Sequence, residues 1–488
     1  MINHFCTHSG YEKRMPPFPA SYNVKKTSFS FGRGEICMSF LIKPDLHQSY
    51  PVVQYAKGSY IYDQTGKRFL DGCSGAVTCS LGHGVSEVIA PLKEQLDAVS
   101  FVYRSQFTSR PAEQLAELLA EVLPEDLNWS FFVNSGSEAV ETAMKIAVQY
   151  WQEKGQNDKT MFLSRWNSYH GITNGALSLS GFYERRYRFT QMLHNYPAAS
   201  APNCYRCPYQ LSAPECETAC VKEVELAIKR IGKSFIAGFV AEPVIGAAGG
   251  AIAAPRGYYK RIKDLCEENG ILFIADEVMC GMGRTGKMLA IEHWGVTPDI
   301  AVLGKGMSAG YSPIAAAVIT DGIMKTIKNG SGVIMSGHTY SANPFSAAAA
   351  LSVLRYIIKH DLPRQAATKG KRLKNRLRDV MKQSNIIGDI RGKGLLLGVE
   401  FVSDKKSKKP FPSSLSVSAR IISEAKRRGL LIYPAEAGIA GGGGDAVIIA
   451  PPLTITDHEM DELVFCLQEA VHAVEKQVEK VISADDAE

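Results

Sequence analysis

The 488-residue sequence has no long apolar run. Its longest stretch free of Asp, Glu, Lys and Arg, 329–354, is broken throughout by Gly, Ser, Asn, His and Pro, which excludes it as a membrane span. A strong charge of one sign is also missing. The 55 basic and 49 acidic side chains leave a formal net charge of +6, too little over this length to imply a nucleic-acid or membrane partner. The basic run 364–382 lacks interleaved aromatics. Ala366, Leu373, Leu377 and Met381 give it one apolar face, so it reads as a solvated surface helix. The N-terminus lacks a charged-then-apolar leader pattern, so export is not expected. Eleven cysteines are an odd number for a secreted disulfide framework, and a chain this long needs no such staples. A cytoplasmic protein is expected.

What is present is an ordinary globular composition, 45% apolar and 21% charged, with length for two or three domains. Residues 1–37 are polar, hold several Pro and Gly, and read as a loosely ordered N-terminal extension. Residues 60–63 and 68–71 flank a turn at 64–67 and predict a hairpin. Helix-like segments at 112–123, 137–153, 221–231 and 258–269 then alternate with short apolar strands at 131–133, 239–241, 271–275, 300–303 and 315–319. Strands without polar alternation have both faces covered, which predicts an α/β fold with a mostly parallel sheet between helices. Beyond about 345 the texture changes to long helices and a strand at 394–402, which predicts a smaller C-terminal domain over 346–488.

Ligands of parallel α/β sheets bind beyond the carboxyl ends of the strands. Four predicted strands end in chemistry-bearing residues: Asn134-Ser135-Gly136-Ser137-Glu138, Glu242-Pro243, Asp276-Glu277-Val278 and Gly304-Lys305-Gly306. Ser135 and Glu138 have capping-box spacing. Gly136 admits close approach, and the free N–H groups with the Ser137 hydroxyl suit a phosphate. The same turn also reads as an ordinary capped helix. Asp276 ends a buried strand, where a carboxylate is costly unless paired. Lys305 sits between glycines after another apolar strand, and a desolvated lysine forms Schiff bases. Each residue alone also fits a structural role. Together, phosphate turn, buried acid and buried lysine imply pyridoxal phosphate. Gly281-Met282-Gly283-Arg284-Thr285-Gly286 matches a dinucleotide pattern but lacks its strand-turn-helix context.

On these residues the sequence resembles the class III, fold type I, pyridoxal-phosphate aminotransferases over about 45–470. Gly337-His338-Thr339-Tyr340-Ser341-Ala342-Asn343-Pro344 and Arg391-Gly392-Lys393-Gly394-Leu395 complete the resemblance. It implies a large cofactor domain at 91–345 and a smaller α+β domain built from 38–90 and 346–488. It implies that Lys305 holds the cofactor as a Schiff base and shuttles the substrate proton, and that Asp276 pairs with the pyridine nitrogen. Gly136 and Ser137 would bind phosphate, Tyr169 would stack on one ring face, Val278 would pack on the other, and Glu242 would support the site. Thr339 would reach the phosphate of a second subunit, making a homodimer with shared active sites. Arg391 would grip a substrate carboxylate.

Two departures narrow this. Ornithine- and 4-aminobutyrate-type members carry a gating glutamate where this chain has Ala247, and often Gln where it has Met279. The sequence resembles instead the ω-amino acid:pyruvate branch, but Val77 stands where that branch commonly has an aromatic, leaving room for a bulkier donor. The expected reaction is amino transfer from an ω-amino acid or amine to a keto acid such as pyruvate. An amino-acid racemase, epimerase or aminomutase on the same scaffold is the alternative. Cys204, Cys207, Cys216 and Cys220 have a spacing that resembles a structural zinc site, but reduced, partly buried cysteines are the favoured reading, and no metal is assigned.

Overall fold

The computed structural model describes residues 40–124, 126–212, 215–216 and 218–485. The extension expected at 1–37 lies outside the described residues. The described residues divide between two units, 40–51 and 52–485. Residues 40–51 of the first contain no helix or strand.

The second unit opens with strands β1 (Val53–Lys57), β2 (Tyr60–Asp63) and β3 (Arg68–Asp71). The β2–β3 hairpin turns at 64–67, where the Asp63 carboxylate accepts the N–H groups of Thr65 and Lys67. The central sheet follows: β4 (Leu127–Val133), β5 (Met161–Arg165), β6 (Ala198–Ala199) and β7 (Ile236–Ala241), then, past the small ribbon β8 (Val244–Ile245) and β9 (Ile252–Ala253), β10 (Leu272–Asp276), β11 (Ile300–Leu303) and β12 (Ala315–Thr320). Its order is β4-β12-β11-β10-β7-β5-β6. β12 runs antiparallel to both neighbours, while β11, β10, β7, β5 and β6 are parallel. Every residue of β7, β10 and β11 is buried. Helices cover both faces, which is why these strands are apolar without alternation. The helix Gly136–Glu153 packs Ala139, Ala143, Ile146 and Ala147 on one face, and Tyr258–Asn269 packs Tyr258, Tyr259, Ile262 and Cys266 on the other.

A second sheet forms from β13 (Ile387–Lys393), β14 (Leu396–Phe401), β16 (Tyr433–Ala435) and β17 (Asp445–Ile449), in the order β13-β14-β17-β16. The helices Leu362–Gln383 and Asp457–Asp485 share its apolar core. The short strand β15 (Leu430–Leu431) pairs in parallel with β3, so residues from the two ends of the unit meet in one sheet.

Two elements differ from the sequence expectation. β4 begins at Leu127, not at 131, because Asn128 and Trp129 donate side-chain hydrogen bonds to Asp321 and the strand pairs with β12 back to Leu127. β13 is a strand although it holds two glycines and three charged residues; its ladder with β14 stabilises what its composition does not announce.

Candidate active site

The carboxyl ends of β4, β7, β10 and β11 bring Gly136, Ser137, Glu242, Asp276, Val278 and Lys305 to one edge of the sheet. The β4 end becomes the helix Gly136–Glu153. Ser135 caps it by accepting the Glu138 N–H at 3.3 Å, and Glu138 reaches back to the Asn134 N–H at 2.7 Å. The N–H groups of Gly136 and Ser137, in the first helical turn, have no intrahelical acceptor and carry the positive end of the helix dipole. A Cβ on Gly136 would lie 3.0 and 3.2 Å from the two methyls of Val278. The glycine therefore lets the turn close against the β10 loop. Ser137 Oγ accepts the Ile172 N–H at 3.0 Å, which ties the loop after Tyr169 to the same turn.

Asp276 ends β10 and is 4% exposed. One carboxylate oxygen accepts the Val278 N–H at 3.1 Å; the other lies 2.8 Å from Nδ1 of the buried His170. An ionised carboxylate only accepts hydrogen bonds, so His170 carries its proton on Nδ1. Among the described residues its buried Nε2 has no hydrogen-bond partner. The adjacent Glu277 does something else. Its carboxylate accepts the Ala290 and Ile291 N–H groups, both at 2.8 Å, and burial pushes its pKa up to about 7. One acid faces the site and its neighbour holds a helix start.

Lys305 follows β11 with φ of +43°. No carboxylate among the described residues lies within ion-pair distance of its Nζ. Desolvation lowers its pKa to about 8, against the opposing pull of Asp276, Glu242 and Cys280. A proton carrier with that pKa changes state near neutrality. Glu242 is 5% exposed, and burial raises its pKa. Its carboxylate accepts the Gly246 N–H at 3.0 Å and the Tyr169 N–H at 3.1 Å, so it fixes the backbone that presents Tyr169. Arg165 and Tyr259 in turn donate to the Glu242 carbonyl, both at 2.6 Å. The Tyr169 ring is half-buried and edge-on to Phe182 at 6.3 Å.

Two expected residues stand apart from this cluster. Thr339 is exposed. Arg391, on β13, is committed to protein groups: Nε donates to Gly250 O, one terminal nitrogen pairs with Asp389 and the fully buried Glu400, and the other donates to the Gly249 and Ala437 carbonyls. A role on a substrate carboxylate requires those bonds to be exchanged. The sequence identifies His170 only as a structural or pocket-lining residue, outside any metal-ligand spacing with His338 and His360, and assigns no role to Arg165. For His170 a signal was present, since it follows Tyr169 directly in a Tyr-His-Gly run; Arg165 gives none. Arg284 of the dinucleotide-like run is buried and donates to the Leu395 and Pro451 carbonyls, a packing role.

Cys204, Cys207, Cys216 and Cys220 are free thiols around a cavity of about 20 Å3. Among the described residues, no three His, Cys, Asp or Glu side chains are placed to hold a metal ion.

The residues at the sheet edge fit pyridoxal phosphate. The glycine-serine turn forms an anion cradle that a Cβ would crowd, a buried acid backed by a histidine N–H suits a pyridinium nitrogen, and a desolvated lysine suits an aldehyde. The comparisons agree. The model of the class III aminotransferase family matches residues 42–471. An uncharacterized aminotransferase of Bacillus subtilis, YodT, is 65% identical over 91% of this chain and 99% of its own length. The adenosylmethionine-8-amino-7-oxononanoate aminotransferase of Geobacter sulfurreducens is 36% identical over 92% and 98%. Among solved structures, an (S)-enantioselective ω-transaminase from Thermomicrobium roseum superposes with a TM-score of 0.82 at 36% identity, covering 88% of this chain and 93% of its own. An amine transaminase from an uncultivated Pseudomonas species, solved with pyridoxal phosphate bound, gives 0.84 at 35%, covering 90% and 99%. With a turn, an acid and a lysine where such a cofactor needs them, this chain belongs to the class III aminotransferases and is a pyridoxal-phosphate enzyme of fold type I.

Proposed function

We propose that this aminotransferase takes its amino group from an ω-amino acid or an amine, passes it to a keto acid such as pyruvate, and works as a cytoplasmic homodimer with shared active sites. Two observations support this donor class: a small Ala247 where ornithine- and 4-aminobutyrate-type members carry a glutamate, and Val77 where the ω-amino acid:pyruvate branch commonly has an aromatic. Ala247 and Tyr169 pack against one apolar cluster, and Val77, 2% exposed, packs in another with Met279 and Tyr433. Val77 also holds φ at +59°, a conformation costly for a β-branched residue and concentrated at functional sites. Structural neighbours include variants of the thermostable ω-transaminase PjTA-R6 engineered for asymmetric synthesis of enantiopure bulky amines.

When bound, pyridoxal phosphate supplies an electron sink for the charge that develops at the substrate Cα. The chain's own residues do the rest. Lys305 would hold the cofactor covalently and, once displaced by the donor, takes the Cα proton. Asp276 would hold the pyridine nitrogen protonated, and His170 orients that carboxylate. Gly136 and Ser137 would bind the phosphate, Tyr169 and Val278 would pack the two ring faces, and Glu242 keeps Tyr169 in place. Thr339 would reach the phosphate of the partner's site. Domains at 38–90 with 346–488 and at 91–345 would enclose the pocket.

The test is an absorbance scan of the purified enzyme mixed with single amines and no keto acid. Conversion of a band near about 420 nm to one near about 330 nm identifies an amino donor. A visible band that no amine converts would favour a racemase or aminomutase. Val77→Trp is expected to raise KM for bulky amines and spare small ones; no change in either would remove Val77 from the pocket.

A further inference from the structure

Arg165 is a buried cation that the mechanism above does not use. It is the last residue of β5, whose carboxyl end lies on the same edge of the sheet as those of β7, β10 and β11. Its side chain is fully buried. Among the described residues, no carboxylate lies within ion-pair distance of the guanidinium, and Nε has no hydrogen-bond partner. The bonds it does make close a ring. Nη1 donates to the Tyr259 hydroxyl oxygen at 2.9 Å, Nη2 donates to the Glu242 carbonyl at 2.6 Å, and the Tyr259 hydroxyl donates to that same carbonyl at 2.6 Å.

Tyr259 alone would satisfy the carbonyl. Hydrogen bonding therefore does not account for a charge at this position, and a buried charge without a close counterion is expensive. Burial opposes the charge on Arg165, but Tyr259, Tyr258 and Glu242 outweigh burial and hold the guanidinium above its ordinary range. Burial also pushes up both tyrosines, Tyr258 to about 12. Of the three groups, Glu242 is thus the one able to ionise near neutrality.

Glu242 faces the site. Burial raises its pKa, His170 opposes that rise and Asp276 adds to it. Its carboxylate accepts the Gly246 and Tyr169 N–H groups, and Lys305 lies in its field, as it does in that of Asp276 and Cys280. A buried glutamate deprived of positive charge can hold its proton to a pH of about 8–9. A protonated Glu242 would grip the Tyr169 N–H less firmly and would no longer act on Lys305.

We infer that Arg165 is a positioning residue that keeps the Glu242 carboxylate charged and in place, and through it holds Tyr169 and acts on Lys305. This rests on the reading of Glu242 and Tyr169 as site residues, and it holds for whichever amine is the donor.

The experiment compares Arg165→Gln, which removes the charge, with Tyr259→Phe, which opens the ring but keeps the charge. Arg165→Lys, Glu242→Gln and the Arg165→Gln/Glu242→Gln pair complete the set. One readout is the pH profile of the amine half-reaction of the holoenzyme. The other is the midpoint of Lys305 acylation in the cofactor-free full chain, followed by peptide mass. Arg165→Gln should lower kcat about 10- to 100-fold and move the acid limb up by about one pH unit. The Lys305 midpoint should fall below the wild-type value of about 8, as it should in Glu242→Gln, because the pull of an ionised Glu242 is lost. Arg165→Lys should restore limb and midpoint, and Tyr259→Phe should leave both in place. The pair should be within about threefold of Glu242→Gln, since residues acting through one group do not add. Additive losses in the pair, or a limb that Tyr259→Phe moves as far as Arg165→Gln does, would make Arg165 a strut and overturn the inference. A Lys305 midpoint that rises in Arg165→Gln would overturn it too, by showing a direct action on the amine. Glu242→Gln at the wild-type rate would instead remove Glu242 from the site, a failure of the underlying reading that needs no Arg165 variant to detect.

Discussion

At the residue scale, the site is organised by what each buried group lacks. Asp276 needs a proton donor on each side, and His170 supplies one of them. His170→Phe keeps the ring shape but removes that N–H, at a cost of about 1–3 kcal/mol for a buried acceptor left short. The expected result is a kcat lowered about 10- to 100-fold with KM little changed, read from the amine half-reaction. An equal change in KM would show a binding role instead. Lys305 needs water that it does not have. In cofactor-free enzyme its amine should react with an acylating reagent with a midpoint near pH 8. Because the folded pKa lies below the unfolded one, the unfolded chain holds more protons between about 8 and 10.5. Stability of the cofactor-free protein should then rise with pH across that window, as denaturant unfolding would show. Replacing Lys305 with alanine should abolish this slope.

At the element scale, short turns between a strand and the next helix place the chemistry. Gly136 is tolerated at the β4 turn because Val278 occupies the space a side chain would take. Gly136→Val should force the two loops apart and weaken cofactor affinity about tenfold or more, measured by fluorescence titration of apoenzyme. β13 presents the contrasting case. Arg391 and Arg206 both pair with Glu400, which is fully buried on β14. Removing one partner of a buried ion pair costs about 3–5 kcal/mol, less here because the other arginine remains. Arg391→Met should therefore lower Tm. A raised KM for carboxylated donors but not for simple amines would show that the fork also reaches substrate; a fall in Tm alone would define it as a strut.

At the scale of the whole molecule, Phe101, Tyr103, Met335 and Tyr340 are exposed apolar side chains, Phe101 and Tyr340 in edge contact at 5.8 Å, and Thr339 is exposed beside them. Exposed apolar groups of this kind mark interaction surfaces. If Thr339 serves the partner's phosphate, Thr339→Ala mixed with Lys305→Ala should form hybrid dimers that keep one active site with both residues lost and one with both intact, so activity returns on mixing; no recovery would place Thr339 outside the shared site. The order of elements and the identities of Lys305, Asp276 and Gly136 could be read from the sequence, because strand ends in a parallel sheet are where apolar runs stop, and local pattern records that. The pairing of β15 with β3, the strand character of β13, the His170–Asp276 contact and the closure of Arg391 on Glu400 could not. Each joins residues whose separation along the chain carries no local periodicity, and only the folded arrangement of sheets and loops decides which buried charge meets its partner.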